Sequence, residues 1–235
     1  MLLEICANSY QSAINAEKAG ANRIELCSEL SVGGITPSYG VLKKVTQQLT
    51  IPVHVLLRPR SGDFTYTNEE FEIMKENIRI CKELGVAGIV SGILHKDNTI
   101  DYKRTQALVE LSGSLHFAFH RGFDCIPNPK EALQNLIALG VQTILTSGQQ
   151  PKAENGILLL QELQELAGNK LTILAGGGIN PNNVGLFKKA GLKAVHASAS
   201  IVTQRNDSDT YFGKTPQTVS DIPTIQQLIK SIQNA

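Results

Sequence analysis

Tryptophan is absent, methionine occurs twice, and aromatic residues make up only 5% of the 235 positions. A core poor in large rings must be built from aliphatic side chains, and a hydrophobic share of 42% supplies them. Disorder of the whole chain is excluded, because it needs low hydrophobicity and high net charge. No charge excess exists either: 22 basic residues face 21 acidic ones, a formal charge of +1. Nucleic-acid binders carry a basic excess or stripe, so nucleic acid is not an expected partner. No apolar run reaches the ~18 residues of a membrane-spanning helix, so no membrane partner is expected. The start Met1-Leu2-Leu3-Glu4 meets a carboxylate where a secretory signal would carry basic residues, which predicts a cytoplasmic protein. Cysteine is sparse too. Cys6, Cys27, Cys81 and Cys125 form no CxxC pair, so neither a disulfide framework nor a zinc-finger site is expected, and the four should be thiols.

Short apolar runs alternate with longer amphipathic ones. Strands are expected at Leu2–Cys6, Arg23–Leu26, Pro52–Leu57, Gly88–Ser91, Leu115–His120, Thr143–Thr146, Leu171–Ala175 and Ala194–Ala197. Helices are expected at Ser9–Ala19, Ser38–Leu49, Asn68–Leu84, Asp101–Ser112, Pro129–Leu139, Gly156–Ala167 and Pro181–Ala190, several followed by the glycine that suits a helix end. The polar stretch Gln204–Gln217 reads as a loop before a last helix over about 221–233. Strict βα alternation argues a parallel sheet, and eight units in this length argue a single (β/α)8 TIM barrel domain over 1–235. A doubly wound open sheet would not need the eighth unit.

Side chains two apart share a strand face. One face carries Leu3 and Ile5, Ile24 and Leu26, Val53 and Val55, Phe117 and Phe119. The other carries Glu4 and Cys6; Arg23, Glu25 and Cys27; His54 and Arg58; His116 and His120; His196 and Ser198. Helix-covered parallel sheets are usually apolar on both faces, so the titratable face must look into the lumen. Buried charges there must be paired, and Glu4 and Glu25 would balance Arg23 and Arg58. Barrel sites lie at the C-terminal strand ends. Arg23 and His116 start their strands and read as structural, whereas Cys6, Cys27, Arg58, His120 and His196 end theirs and read as site residues.

Cys6 and Cys27 end adjacent strands in one phase, and neighbouring strands lie ~4.8 Å apart, so one soft ion such as Cu(I) could meet both thiols. The alternative is that both are buried apolar side chains. Arg58 and Arg60 flank Pro59 after the third strand and suit a carboxylate or phosphate. Phe119-His120-Arg121-Gly122-Phe123-Asp124 offers an acid/base, a cation and a carboxylate. Gly176, Gly177 and Gly178 end the seventh strand and Ser198 follows the eighth, the corner where barrels bind phosphate through backbone N–H groups.

As a set, Cys27-Ser-Glu-Leu-Ser-Val-Gly-Gly-Ile-Thr-Pro-Ser38, Arg58-Pro-Arg-Ser-Gly-Asp-Phe64, Phe119-His-Arg-Gly-Phe-Asp124, Leu145-Thr-Ser-Gly148, Gly176-Gly-Gly-Ile179 and His196-Ala-Ser-Ala199 resemble the CutC family over about residues 1–200. The resemblance implies a TIM barrel, a cytoplasmic copper-homeostasis role, Cu(I) on Cys6 and Cys27, and a homodimer or higher homo-oligomer. Two functions stay open. One is Cu(I) binding by the cysteine pair. The other is an enzyme acting on a small anionic, phosphorylated or sugar-like metabolite. In that case Arg58, Arg60, Gly176, Gly177, Gly178 and Ser198 would hold the anion, His120 or Glu25 would be the acid/base, and Asp124 would orient or pair.

Overall fold

The computed structural model describes residues 1–204 and 216–235. Eight parallel strands close into a barrel in chain order: β1 (Leu2–Ala7), β2 (Arg23–Leu26), β3 (Val53–Leu56), β4 (Gly88–Ser91), β5 (His116–Phe119), β6 (Thr143–Thr146), β7 (Thr172–Gly176) and β8 (Ala194–Ala197). The barrel shuts because β1 pairs with both β2 and β8. Seven helices alternate with the strands: α1 (Tyr10–Ala19), α2 (Tyr39–Gln48), α3 (Asn68–Glu83), α4 (Tyr102–Ser112), α5 (Pro129–Ala138), α6 (Ile157–Ala167) and α7 (Val184–Lys189). An eighth, α8 (Ile222–Asn234), packs between α1 and α7 and completes the outer ring.

The helix starts follow from capping. The Ser9 and Asp101 side chains each accept an amide from the first turn, and Thr67 and Glu70 form a reciprocal capping box ahead of α3. Gly20 ends α1 at φ 91°, in the left-handed region a side chain disfavours. Two expectations need correction. The helix proposed from Pro181 begins only at Val184, because Asn183 Oδ1 accepts the Asn180 amide and holds a turn there. The loop proposed for Gln204–Gln217 is flanked by paired strands, β9 (Ser200–Gln204) antiparallel to β10 (Gln217–Ser220); the stretch 205–215 lies outside the described residues.

The main core is the shell between sheet and helices. Ile5, Ile24, Val55, Ile89 and Phe119 from the strands meet Ala13, Val45, Met74 and Leu108 from the helices, all without solvent exposure. Burying each large side chain contributes roughly 1.5–3 kcal/mol. The lumen is different. Leu2, Leu145, Leu174 and Ala194 form a small apolar cluster, whereas the lumen side of β1, β2, β3, β5 and β8 is titratable.

Candidate functional site

Strand register sets the deeper layer of the lumen. Glu4 stands beside Arg23 in β2 and beside His196 in β8. Arg23 Nε donates to Glu4 Oε2 at 2.5 Å, and His196 Nδ1 hydrogen-bonds Glu4 Oε1 at 2.7 Å. His54 Nδ1 lies 3.8 Å from the same carboxylate and stacks on His116. Burial pushes the Glu4 carboxyl up, but the His196 hydrogen bond and the Arg23 charge outweigh it and hold it down at about 2. Burial also works against a proton on His196, yet the Glu4 hydrogen bond and the Glu25 charge raise its pKa.

One step toward the C-terminal ends lie the thiols. Cys6 Sγ is 3.6 Å from Cys27 Sγ and 3.5 Å from Glu25 Oε2. His196 Nε2 is 3.6 Å from the same Glu25 oxygen. The candidate donor atoms of Cys6, Glu25 and His196 all lie within 4.8 Å of one another. The neighbouring Cys27 thiol, then burial, push Cys6 well above the usual thiol range. Burial raises Glu25 as well, with Glu4 adding to the effect and His196 opposing it. All four cysteines are free thiols.

Above this layer opens a cavity of about 500 Å³. Cys6, Glu25 and His196 line its floor side, and His120, Arg121 and Gly177 its wall; Cys27 sits behind Cys6, beneath Gly34. His120 is only 4% exposed. Its Nδ1 accepts the Gly122 amide at 3.1 Å, and among the described residues its Nε2 has no partner. Burial lowers this imidazole to about 4, so it is neutral near pH 7.

Several expected roles are corrected. Arg58 does not balance Glu4 or Glu25. Its Nη atoms donate to the carbonyls of Val32, Gly34 and Gly62 at 2.6–2.9 Å, so the guanidinium ties two loops together. Arg60 pairs with Glu70 and Asp63 and does not line the cavity. Gly176 also stays out of the cavity: it ends β7, and a Cβ there would come 2.6 Å from Leu145. Of the two roles read for Asp124, orienting or pairing, the structure shows a pairing, with Arg121. The Asp124 carboxylate accepts from the Thr146 and Ser147 hydroxyls, from the Ser147 and Gln149 amides, and from Arg121 Nε at 2.9 Å. Gly177, Gly178 and Ser198 do line the cavity. The sequence offered His196 as a site residue without a ligand role, and Arg121 as a cation of its loop without a place among the anion-binding residues. The strand phase placed His196 in the lumen, but that Glu4 rather than Arg58 faces it depends on barrel closure.

The fold and site define a single-domain (β/α)8 barrel whose mouth joins two thiols, a carboxyl group and a carboxylate-bound imidazole to a cationic wall. The CutC family model matches residues 1–201. The family protein CutC of Salmonella agona (strain SL483) is 46% identical over 201 residues, 86% of this chain and 81% of its own. That of Salmonella heidelberg (strain SL476) is 45% identical over the same shares. A solved structure from Streptococcus agalactiae, named for the copper homeostasis protein CutC, has TM-score 0.81 and 36% identity over 84% of this chain and 98% of its own. The chain belongs to the CutC family. Thiamine phosphate pyrophosphorylase from Pyrococcus furiosus, 14% identical with TM-score 0.63 over 99% of this chain and 96% of its own, shares the fold alone. No helix among the described residues is long and apolar enough to cross a membrane.

Proposed function

We propose that this protein serves copper homeostasis in the cytoplasm by carrying Cu(I) on the sulfurs of Cys6 and Cys27. The observation that carries this reading is the 3.6 Å separation of the two buried sulfurs. Paired soft sulfur donors suit Cu(I), and the name of the Streptococcus agalactiae relative agrees with that chemistry. His196 Nε2 is the natural third donor. Its other nitrogen is bound by Glu4, the arrangement that fixes tautomer and orientation in many metal-binding histidines. Glu25 is a hard oxygen donor whose proton affinity burial raises, so it suits the role of neighbour to Cys6 rather than ligand to a soft ion.

Because Cys6 holds its proton tightly, uptake of the ion must expel that proton. Affinity therefore rises with pH, and acidification favours release. An anaerobic Cu(I) competition titration on the wild type and on C6S/C27S tests the reading. One ion per chain is expected, lost in the double variant while its far-UV spectrum stays native. Equal affinity in both proteins would remove the copper assignment.

A further inference from the structure

Two thiols and an imidazole do not need a cavity of about 500 Å³ above them. The upper wall has its own chemistry. Arg121 is fixed from two sides: Nε donates to Asp124 at 2.9 Å and Nη2 donates to Ser147 Oγ at 2.9 Å. Nη1 makes no hydrogen bond among the described residues. Gly177 lies against this guanidinium. A Cβ at Gly177 would come 3.5 Å from Arg121 Cζ and 3.6 Å from Nη1, so a side chain there would fill the space beside the cation. Gly177 and Gly178 sit at φ 116° and 76°, in the region that side chains disfavour, so the backbone path beside Arg121 depends on glycine. Among the described residues, the amides of Gly177, Gly178 and Ser198 donate no hydrogen bond.

A second, independent signal comes from His120. Its Nδ1 accepts from Gly122, so in the neutral ring the proton sits on Nε2, a buried donor without an acceptor among the described residues. Buried donors are nearly always satisfied, and those that are not call for an explanation. The cavity that His120 lines offers one: an acceptor supplied by a ligand.

We propose that the mouth binds a small organic phosphate ester, with its phosphate on Arg121 and the amides of Gly177, Gly178 and Ser198, and with a hydroxylated body reaching His120 Nε2. Four donors bordering one cavity suit a tetrahedral group with three free oxygens better than a planar carboxylate with two. The volume left over exceeds that of inorganic phosphate, and the Cys6 and Glu25 side is polar enough to face hydroxyl groups. This site does not depend on the copper reading, since none of these donors is one of its ligands.

The test is a titration of 15N-labelled, metal-free protein with glycerol 3-phosphate, inorganic phosphate and glycerol, followed by amide shifts and by calorimetry. Glycerol 3-phosphate should saturate one site per chain, shift the Gly177, Gly178 and Ser198 amides, and bind more tightly than inorganic phosphate. R121Q should weaken it by about tenfold or more, the scale of a lost charge-assisted bond. The titration is read on metal-free protein, so failure here and failure of the Cu(I) titration are separate outcomes. Equal affinity for inorganic phosphate would overturn the ester assignment. Absence of shifts at these amides with every probe, read on the wild type and so independent of whether R121Q folds, would overturn the site.

Discussion

Replacing Glu4 by Gln is the sharpest perturbation of the lumen. Glu4 is 1% exposed and serves Arg23, His196 and His54 at once. Its carboxyl is depressed from 4.5 to about 2. At ~1.4 kcal/mol for each tenfold change in proton affinity, that depression corresponds to about 3 kcal/mol of stability at neutral pH. A second route gives a similar size: removing one partner of a buried ion pair costs roughly 3–5 kcal/mol, because the remaining charges are left uncompensated. For a urea slope near ~3 kcal/mol per molar, E4Q should lower the unfolding midpoint by about 1 M at pH 7. The sign with pH is fixed. A depressed carboxylate stabilises above its unfolded pKa of 4.5 and loses that contribution as pH falls through its folded value of about 2. The gap between wild type and E4Q should therefore narrow below pH 4.5. Urea melts followed by far-UV circular dichroism at pH 7, 5 and 3 measure it. A neutral-pH midpoint unchanged by E4Q, or a gap that widens in acid, would refute the assignment of Glu4 as the charge that holds the lumen together.

Two further outcomes follow from neighbouring groups. R58M should destabilise by ~1–3 kcal/mol, because the buried Gly34 carbonyl loses a charged donor and the part-buried bonds to Val32 and Gly62 go with it; an unchanged midpoint in chemical denaturation would contradict the loop-tying role. The histidines should titrate in opposite directions by NMR. His54 and His120 stay neutral down to about pH 4, and each loses its contribution to stability as pH falls from 6.5 toward that value. His196 keeps its proton above pH 6.5 and loses its contribution as pH rises past its raised folded pKa, and protonation of His120 above pH 6 would contradict its burial.

The sequence by itself determined the barrel and the make-up of its two faces. Eight apolar runs spaced by helix-length segments leave few alternatives, and the period of two along each strand is a local property of the backbone. That is why Leu3 and Ile5 could be assigned to the shell and Glu4 and Cys6 to the lumen before any contact was known. Glycines and caps marked helix ends for the same local reason. Pairing across the lumen was decided only by tertiary structure. Closure brings β8 beside β1, residues 192 positions apart in sequence, so Glu4 meets His196 and not Arg58. Arg58 and Arg60 look alike as sequence, each flanking Pro59, yet one ties loops through carbonyls and the other forms an outer ion pair. Which donors a long cation reaches depends on loop paths set by the whole ring, and no window of the sequence contains them. The approach of the Cys6 and Cys27 sulfurs has the same origin. Their phase is written in each strand, but their 3.6 Å separation is set by the stagger between two strands of a closed barrel.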